Sequence, residues 1–137
     1  MTQVTAQLNG LRIAPRKVRL LVDLIKRKPV LVALDQLAHA PKRSSEPLAK
    51  LLRSAVASAE NTFKLDPETL VIKEMRVDEG IKLKRYAPKG FGRANPIEKK
   101  TSRVSVVLEG SAPVAAAARG AKKAKAKKAE TAEVAKS

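Results

Sequence analysis

Apolar residues recur at helical spacing soon after the N-terminus. Val18, Leu21, Val22 and Ile25 share one face at i, i+3, i+4, i+7, while Arg16, Arg19, Asp23, Lys26 and Arg27 fall on the other. Pro15 suits the first helical position, where a missing N–H costs nothing. Ala14 is a poor cap, so the first turn is expected to lean on tertiary contacts. Pro29 breaks the pattern, and Val30 to Leu37 predicts a short second helix. A longer third helix should begin at Ser44 or Ser45, either of which can cap it, with Pro47 tolerated in the first turn. Leu48, Leu51, Leu52, Ala55, Ala59 and Phe63 line its apolar face, and Lys50, Arg53, Glu60 and Lys64 its wet one. The alanines at 55 and 59 allow another element to approach closely.

Beyond this helix the period changes. Asp66-Pro67-Glu68 reads as a turn, Leu70 to Val77 as a strand, and the β-branched stretch Val104 to Leu108 as a second strand. The residues between those strands present no core face, and structureless loops of that length are uncommon in compact domains and usually functional. Paired as a ribbon of about ten residues per arm, they would project roughly 30 Å from the body. The pattern marks no element before Pro15.

Charge sharpens the picture. The 137 residues carry 29 Lys+Arg against 13 Asp+Glu, a formal net charge of +16. Residues 111–137 are mostly alanine and lysine, with seven basic residues against Glu130 and Glu133, and such a segment has too little apolar bulk to order itself. We read a single folded domain over 1–110, including a hairpin over 78–103, and a disordered basic tail over 111–137 that is free to become helical on a polyanion. Between Gly80 and Arg103, eight basic residues stand against Glu98 alone.

The composition also removes options. With no cysteine there is no disulfide framework, thiol nucleophile or Cys-based zinc site. No apolar run approaches the ~18 residues of a spanning helix, and MTQVTAQLNG resembles neither a signal nor a transit peptide, so a soluble intracellular protein is expected. The single histidine, His39, has no clustered carboxylates beside it and reads as an ordinary surface or satisfied residue. Asp78-Glu79 reads as a charge partner for Arg76 or Lys82 rather than a metal site. Gly90-Phe91-Gly92 lacks both the lysine-serine ending of a P-loop and the setting of a dinucleotide fingerprint. We expect no enzyme, no cofactor and no metal.

A polyanion is therefore the expected partner. On the first helix the basic face has a competing explanation, because Arg19–Asp23 and Asp23–Arg27 are both i,i+4 pairs and can neutralise each other. The 80–103 segment has no such alternative, and phosphate contact accounts for it best. Phe63, Tyr86 and Phe91 are the only aromatics; two rings outside the core cannot build a base-stacking platform. No helix-turn-helix or zinc-finger signature points to DNA. Folded RNA, with crevices that admit a thin basic ribbon, fits best.

Several ordered segments also resemble a known family. Val77-Asp78-Glu79-Gly80, Leu83-Lys84-Arg85, Pro88, Gly92-Arg93-Ala94, Ile97 and Lys100-Thr101-Ser102 running into Val104-Ser105-Val106-Val107 look like protein twenty-two of the large ribosomal subunit. Pro15-Arg16-Lys17-Val18-Arg19-Leu20 with Asp23-Leu24-Ile25 resembles that family's first helix, and Ser54-Ala55-Val56-Ala57 with Ala59-Glu60-Asn61 its third. The likeness runs in register over about residues 8–109. It implies an α+β fold of three helices packed on a small three-stranded antiparallel sheet, with a long protruding β-hairpin and an N-terminal edge strand over about Val4 to Leu11. It further implies a constituent of the large subunit that binds ribosomal RNA, supports assembly, and lines the nascent-peptide exit tunnel with the hairpin tip.

On that reading Arg16, Lys17 and Arg19 bind phosphates from the body. Lys82, Lys84, Arg85, Lys89, Arg93, Lys99, Lys100 and Arg103 anchor the ribbon, and Pro88, Lys89, Gly90, Phe91, Gly92 and Arg93 form the tunnel tip. The implied partners are large-subunit ribosomal RNA, neighbouring ribosomal proteins and the passing nascent peptide, with no membrane and no DNA. The chain departs from the family pattern where Lys89-Gly90 replace Arg-Ala, where Phe91 takes a position usually basic or polar, and where Ile81 and Arg103 replace a proline and a histidine. A rival reading, a DNA-compacting protein working through its Ala/Lys tail, belongs to another class, as does a peripheral membrane protein. The latter would need an exposed apolar helix face, whereas these faces look committed to a core.

Overall fold

In the computed structural model, which describes residues 2–110, the three amphipathic segments are helices: α1 (Pro15–Ile25), α2 (Val30–His39) and α3 (Ser45–Phe63). A single 3-10 turn, Pro67–Thr69, leads into the strands. These are β1 (Thr2–Leu11), β2 (Val71–Pro88) and β3 (Ala94–Gly110), in the antiparallel order β1-β3-β2. The expected α+β architecture is what forms, edge strand included. The Ala/Lys-rich stretch 111–137 lies outside the described residues.

The core follows the patterned faces. Val18, Leu21, Val22 and Ile25 of α1, Val30, Ala33 and Leu37 of α2, and Leu48, Leu51, Leu52, Ala55 and Ala59 of α3 are all buried. They meet one face of the sheet, carried by Ile72, Met75, Val77, Val104, Val106 and Leu108. Fully burying one such aliphatic side chain is worth about 1.5–3 kcal/mol, so this set dominates the stability of the body. The other face of the sheet carries Thr5, Gln7, Glu74, Arg76, Ser105 and Val107, the alternation expected of an antiparallel sheet wet on one side.

Four expectations need correction. Phe63 is not in the core but 44% exposed, because α3 closes at Lys64 in a left-handed conformation (φ 54°) and Leu65 swings into the core instead. Neither serine caps α3 through its side chain: the Ser45 hydroxyl bonds backward to the Ala40 and Lys42 carbonyls, tying the α2–α3 loop rather than the helix. The strands run far past Val77 and start well before Val104, because the two polar arms satisfy each other's backbone groups without any core face. Finally, neither Arg19–Asp23 nor Asp23–Arg27 forms an ion pair among the described residues. α1 ends at Ile25, leaving Arg27 beyond the helix with φ 61° and its N–H on the Ile72 carbonyl.

The transition from sheet to ribbon sits at a bulge. Glu79 pairs with Ser102 and Lys82 with Lys100, so Gly80 and Ile81 together oppose Thr101. The Thr101 hydroxyl donates to the Ile81 carbonyl at 2.7 Å, fixing the extra residue. A Cβ on Gly80 would lie 2.5 Å from that hydroxyl oxygen and 3.3 Å from the Thr101 backbone carbon, so only glycine fits. We expect Gly80→Ala to cost about 1–3 kcal/mol in chemical denaturation, as overpacking does. The loss should shrink in a Thr101→Ala background, because the two substitutions share one contact.

Candidate nucleic-acid interface

Beyond the bulge, β2 and β3 pair from Lys82↔Lys100 to Pro88↔Ala94. Seven residues per arm span roughly 23 Å, shorter than the arm foreseen from sequence because pairing inside the body takes up the rest. Apart from Ala87, every residue from Ile81 to Lys100 is exposed. The pleat divides the charges: Lys82, Lys84 and Lys100 share one face with Glu98 and Tyr86, while Arg85 and Lys99 share the other with Leu83 and Ile97. Arg103 pairs with Asp78 in register at the foot. Basic groups thus point both ways from a thin blade.

Lys82 and Lys100 lie directly opposite each other, a like-charge pairing that weakens a sheet on its own. Two carboxylates partly compensate, Glu79 at 3.1 Å from Lys82 and Glu98 at 4.0 Å from Lys100. Asp78-Glu79 therefore does supply the partner foreseen for Lys82, whereas Arg76 pairs with Glu74 at 2.6 Å. Lys84, Arg85, Lys89, Lys99 and Arg93 form no ion pair among the described residues.

At the tip the Lys89 N–H donates to the Arg93 carbonyl at 2.7 Å, closing a loop around Gly90–Gly92. Phe91 sits at its centre with φ 57°, a left-handed conformation that costs a non-glycine residue about 1 kcal/mol or more, and its ring is wholly exposed. Gly92, at φ 69°, completes the reversal.

On the body, the three cations of α1 divide. Arg16 is exposed, and Lys17 lines a concavity. Arg19 instead donates from Nε and Nη2 to the Val77 carbonyl at 3.3 and 3.0 Å, clamping α1 to β2 one step before the ribbon departs. Three further cations gather where the sequence pattern singled out none: Arg12, Lys42 and Arg43 line the same concavity as Lys17. They lie on two short connections, and only their clustering in space distinguishes them. His39 donates from Nδ1 to the Asp35 carbonyl at 2.9 Å, an ordinary helix-end contact. Among the described residues no group of three acidic, histidine or cysteine side chains could hold a metal, and no helix is long and apolar enough to cross a membrane.

Over residues 6–109, which hold the helical body and the charged two-stranded arm, the sequence matches the family model for ribosomal protein L22p/L17e. The chain belongs to that family. It is 48% identical over 108 residues to the large ribosomal subunit protein uL22 of Desulfitobacterium hafniense strain Y51, covering 79% of this chain and 95% of the relative. The uL22 of strain DSM 10664 / DCB-2 is similar to the same extent. L22p/L17e proteins are structural, non-enzymatic components of the large ribosomal subunit, with ribosomal RNA and ribosomal proteins as partners.

Within this L22p/L17e body the ribbon foot is electrostatically tuned. A hydrogen bond from Lys82, reinforced by its charge and that of Lys100, holds the Glu79 carboxyl below the usual carboxylate range. A hydrogen bond from Arg76 does the same for Glu74. A carboxyl whose pKa is lower folded than unfolded stabilises the fold above its ordinary value near 4.5, and that stabilisation is lost as pH falls through the depressed folded value. We therefore expect Glu79→Gln and Glu74→Gln together to make the loss of stability on acidification below pH ~4.5 shallower. Because both pairs are exposed, the difference should fade at high salt in pH-dependent urea titrations.

Proposed function

We propose that the chain binds large-subunit ribosomal RNA through the ribbon and the adjoining body, helps the subunit assemble, and lines the nascent-peptide exit tunnel with the tip formed by residues 88–93. The observation that carries this reading is the ribbon itself. An exposed arm with Lys82 and Lys100 held face to face, their repulsion only partly relieved by Glu79 and Glu98, gains further stability when a polyanion surrounds it. Its two-sided display of Lys82, Lys84, Lys100, Arg85 and Lys99 suits RNA that wraps the arm rather than a flat partner. Arg16 and Lys17 extend the phosphate contacts onto the body, and Arg103 serves the foot of the arm. Arg19, exposed and donating from Nε and Nη2 to the Val77 carbonyl, holds the arm's root in position and keeps Nη1 for a phosphate.

The nascent-peptide role rests on the family likeness and on a tip that is narrow and exposed. The RNA-binding unit is residues 1–110, so removing 111–137 should leave most of the RNA affinity intact. This separates the reading from a DNA-compacting one, in which binding collapses with the tail.

In filter binding to transcribed large-subunit RNA, Lys84→Ala/Arg85→Ala/Lys99→Ala should reduce the salt dependence of log K by about two units, as loss of three phosphate contacts requires. An unchanged salt slope, or absence of the protein from large-subunit fractions in gradient sedimentation, would defeat the proposal.

A further inference from the structure

The concavity between the end of β1, the start of α1 and the α2–α3 loop is a site in its own right. It measures about 420 Å³, within the range of small-ligand pockets, and is large enough for one nucleotide. Its rim carries Arg12, Lys17, Lys42 and Arg43, and no carboxylate lines it. None of these four cations forms an ion pair among the described residues. Its apolar lining includes Ile13 and Leu20; on α1, Val18, Leu21 and Val22 are buried in the core, whereas Leu20 is 59% and Leu24 45% exposed.

Both loops that carry the rim are fastened from beneath by buried hydroxyls. Ser102, fully buried on β3, donates to the Ile13 carbonyl and so fixes the link that bears Arg12. Ser45, also buried, donates to the Ala40 and Lys42 carbonyls and fixes the loop that bears Lys42 and Arg43. The first turn of α1 adds to the positive field, since Ala14 offers no side-chain acceptor and the turn holds no acid. Tying the main chain of these loops lowers the backbone ordering that binding an anion requires.

We propose that this concavity seats one unstacked nucleotide of single-stranded RNA, its base against Leu20 and Ile13 and its phosphates on Arg12, Lys17, Lys42 and Arg43. The inference rests on the RNA-binding reading above and locates a contact outside the ribbon. Continuity favours RNA over an acidic protein segment. Arg12 also lines a second concavity with Leu83, Arg85, Lys99 and Lys100 at the root of the ribbon, so one strand can pass from the pocket onto the arm without leaving a cationic surface. A chain of regularly spaced phosphates matches such a track.

The test uses the full chain, a fluorescent decauridylate and the same ribose-phosphate strand lacking bases. Arg12→Ala/Arg43→Ala should lower the salt slope for both probes by about 1.4. Leu20→Ser, a change at an exposed position, should weaken decauridylate binding roughly fivefold to tenfold and leave the abasic strand unaffected. Thermal melts of each variant establish that the fold is retained. Equal effects of Leu20→Ser on the two probes, or none on either, would overturn the nucleotide seat. So would displacement of decauridylate by a leucine-containing polyglutamate peptide that loses its own affinity in Leu20→Ser. If the pocket variants bind normally while Lys84→Ala/Arg85→Ala/Lys99→Ala does not, the pocket proposal alone fails. If the unmodified chain binds neither probe nor transcribed large-subunit RNA, the underlying RNA reading fails with it.

Discussion

A two-stranded ribbon in water has no core of its own and is marginal without support. Everything the charged arm can do therefore depends on β3, the central strand. In the body it is paired on both sides, by β1 up to Ser102 and by β2 throughout, and its Val104, Val106 and Leu108 are sealed under the helices. From Lys100 outward it keeps only β2. The same strand thus passes from a buried setting to an exposed one within two residues. The Gly80–Ile81 bulge marks the change, with Thr101 locking it and the Arg19 clamp on Val77 bracing the root. The base of the arm is held by neighbours on the body, whereas toward the tip only the β2–β3 pairing holds it.

The body was largely legible from its sequence because burial there follows period. The α1 and α3 faces, the Pro29 break and the apolar strand Val104 to Leu108 all come from spacing that physics leaves little room to misread. Where apolar bulk is thin, the pattern loses its grip. β1 alternates Val4, Ala6 and Leu8, but only Val4 is fully buried, so its signal rests on one strong residue and the family likeness had to supply the strand. Helix periodicity places Phe63 on the apolar face but carries no information on where the helix stops, and a left-handed Lys64 puts Leu65 in the core instead. The ribbon's pairing is written in backbone groups rather than side chains, so the sequence shows its charges and its length as a hairpin over 78–103, but not the register or the bulge at Gly80–Ile81.

For the interface the division is similar. A run of cations with one acid among them is visible in one dimension, so the ribbon residues stood out. Arg12, Lys42 and Arg43 belong to two unremarkable connections thirty positions apart, and only the fold makes them neighbours of Lys17. Arg19 carries a contact that one dimension does not display. Its position on the polar face of α1 suggests a phosphate contact or an i,i+4 pair; that pair does not form among the described residues, and its guanidinium reaches a main-chain carbonyl on β2. A helical wheel records which side faces away from its own core, not what else comes to meet it.

The two cationic regions also use different physics. On the ribbon, Lys82 and Lys100 oppose each other and their relief comes from Glu79 and Glu98 in exposed pairs, so the charges are mutually repulsive, screened by salt and adaptable in geometry. In the body concavity the cations are spread over separate segments, two of which have their main chain tied by Ser45 and Ser102, so the backbone that presents Arg12, Lys42 and Arg43 is held in place while the side chains adjust to an anion. Having Arg12 border both regions means that an anionic strand ordered in the cradle is already aimed along the arm, so docking at the body lowers the entropy that the ribbon must lose when it engages.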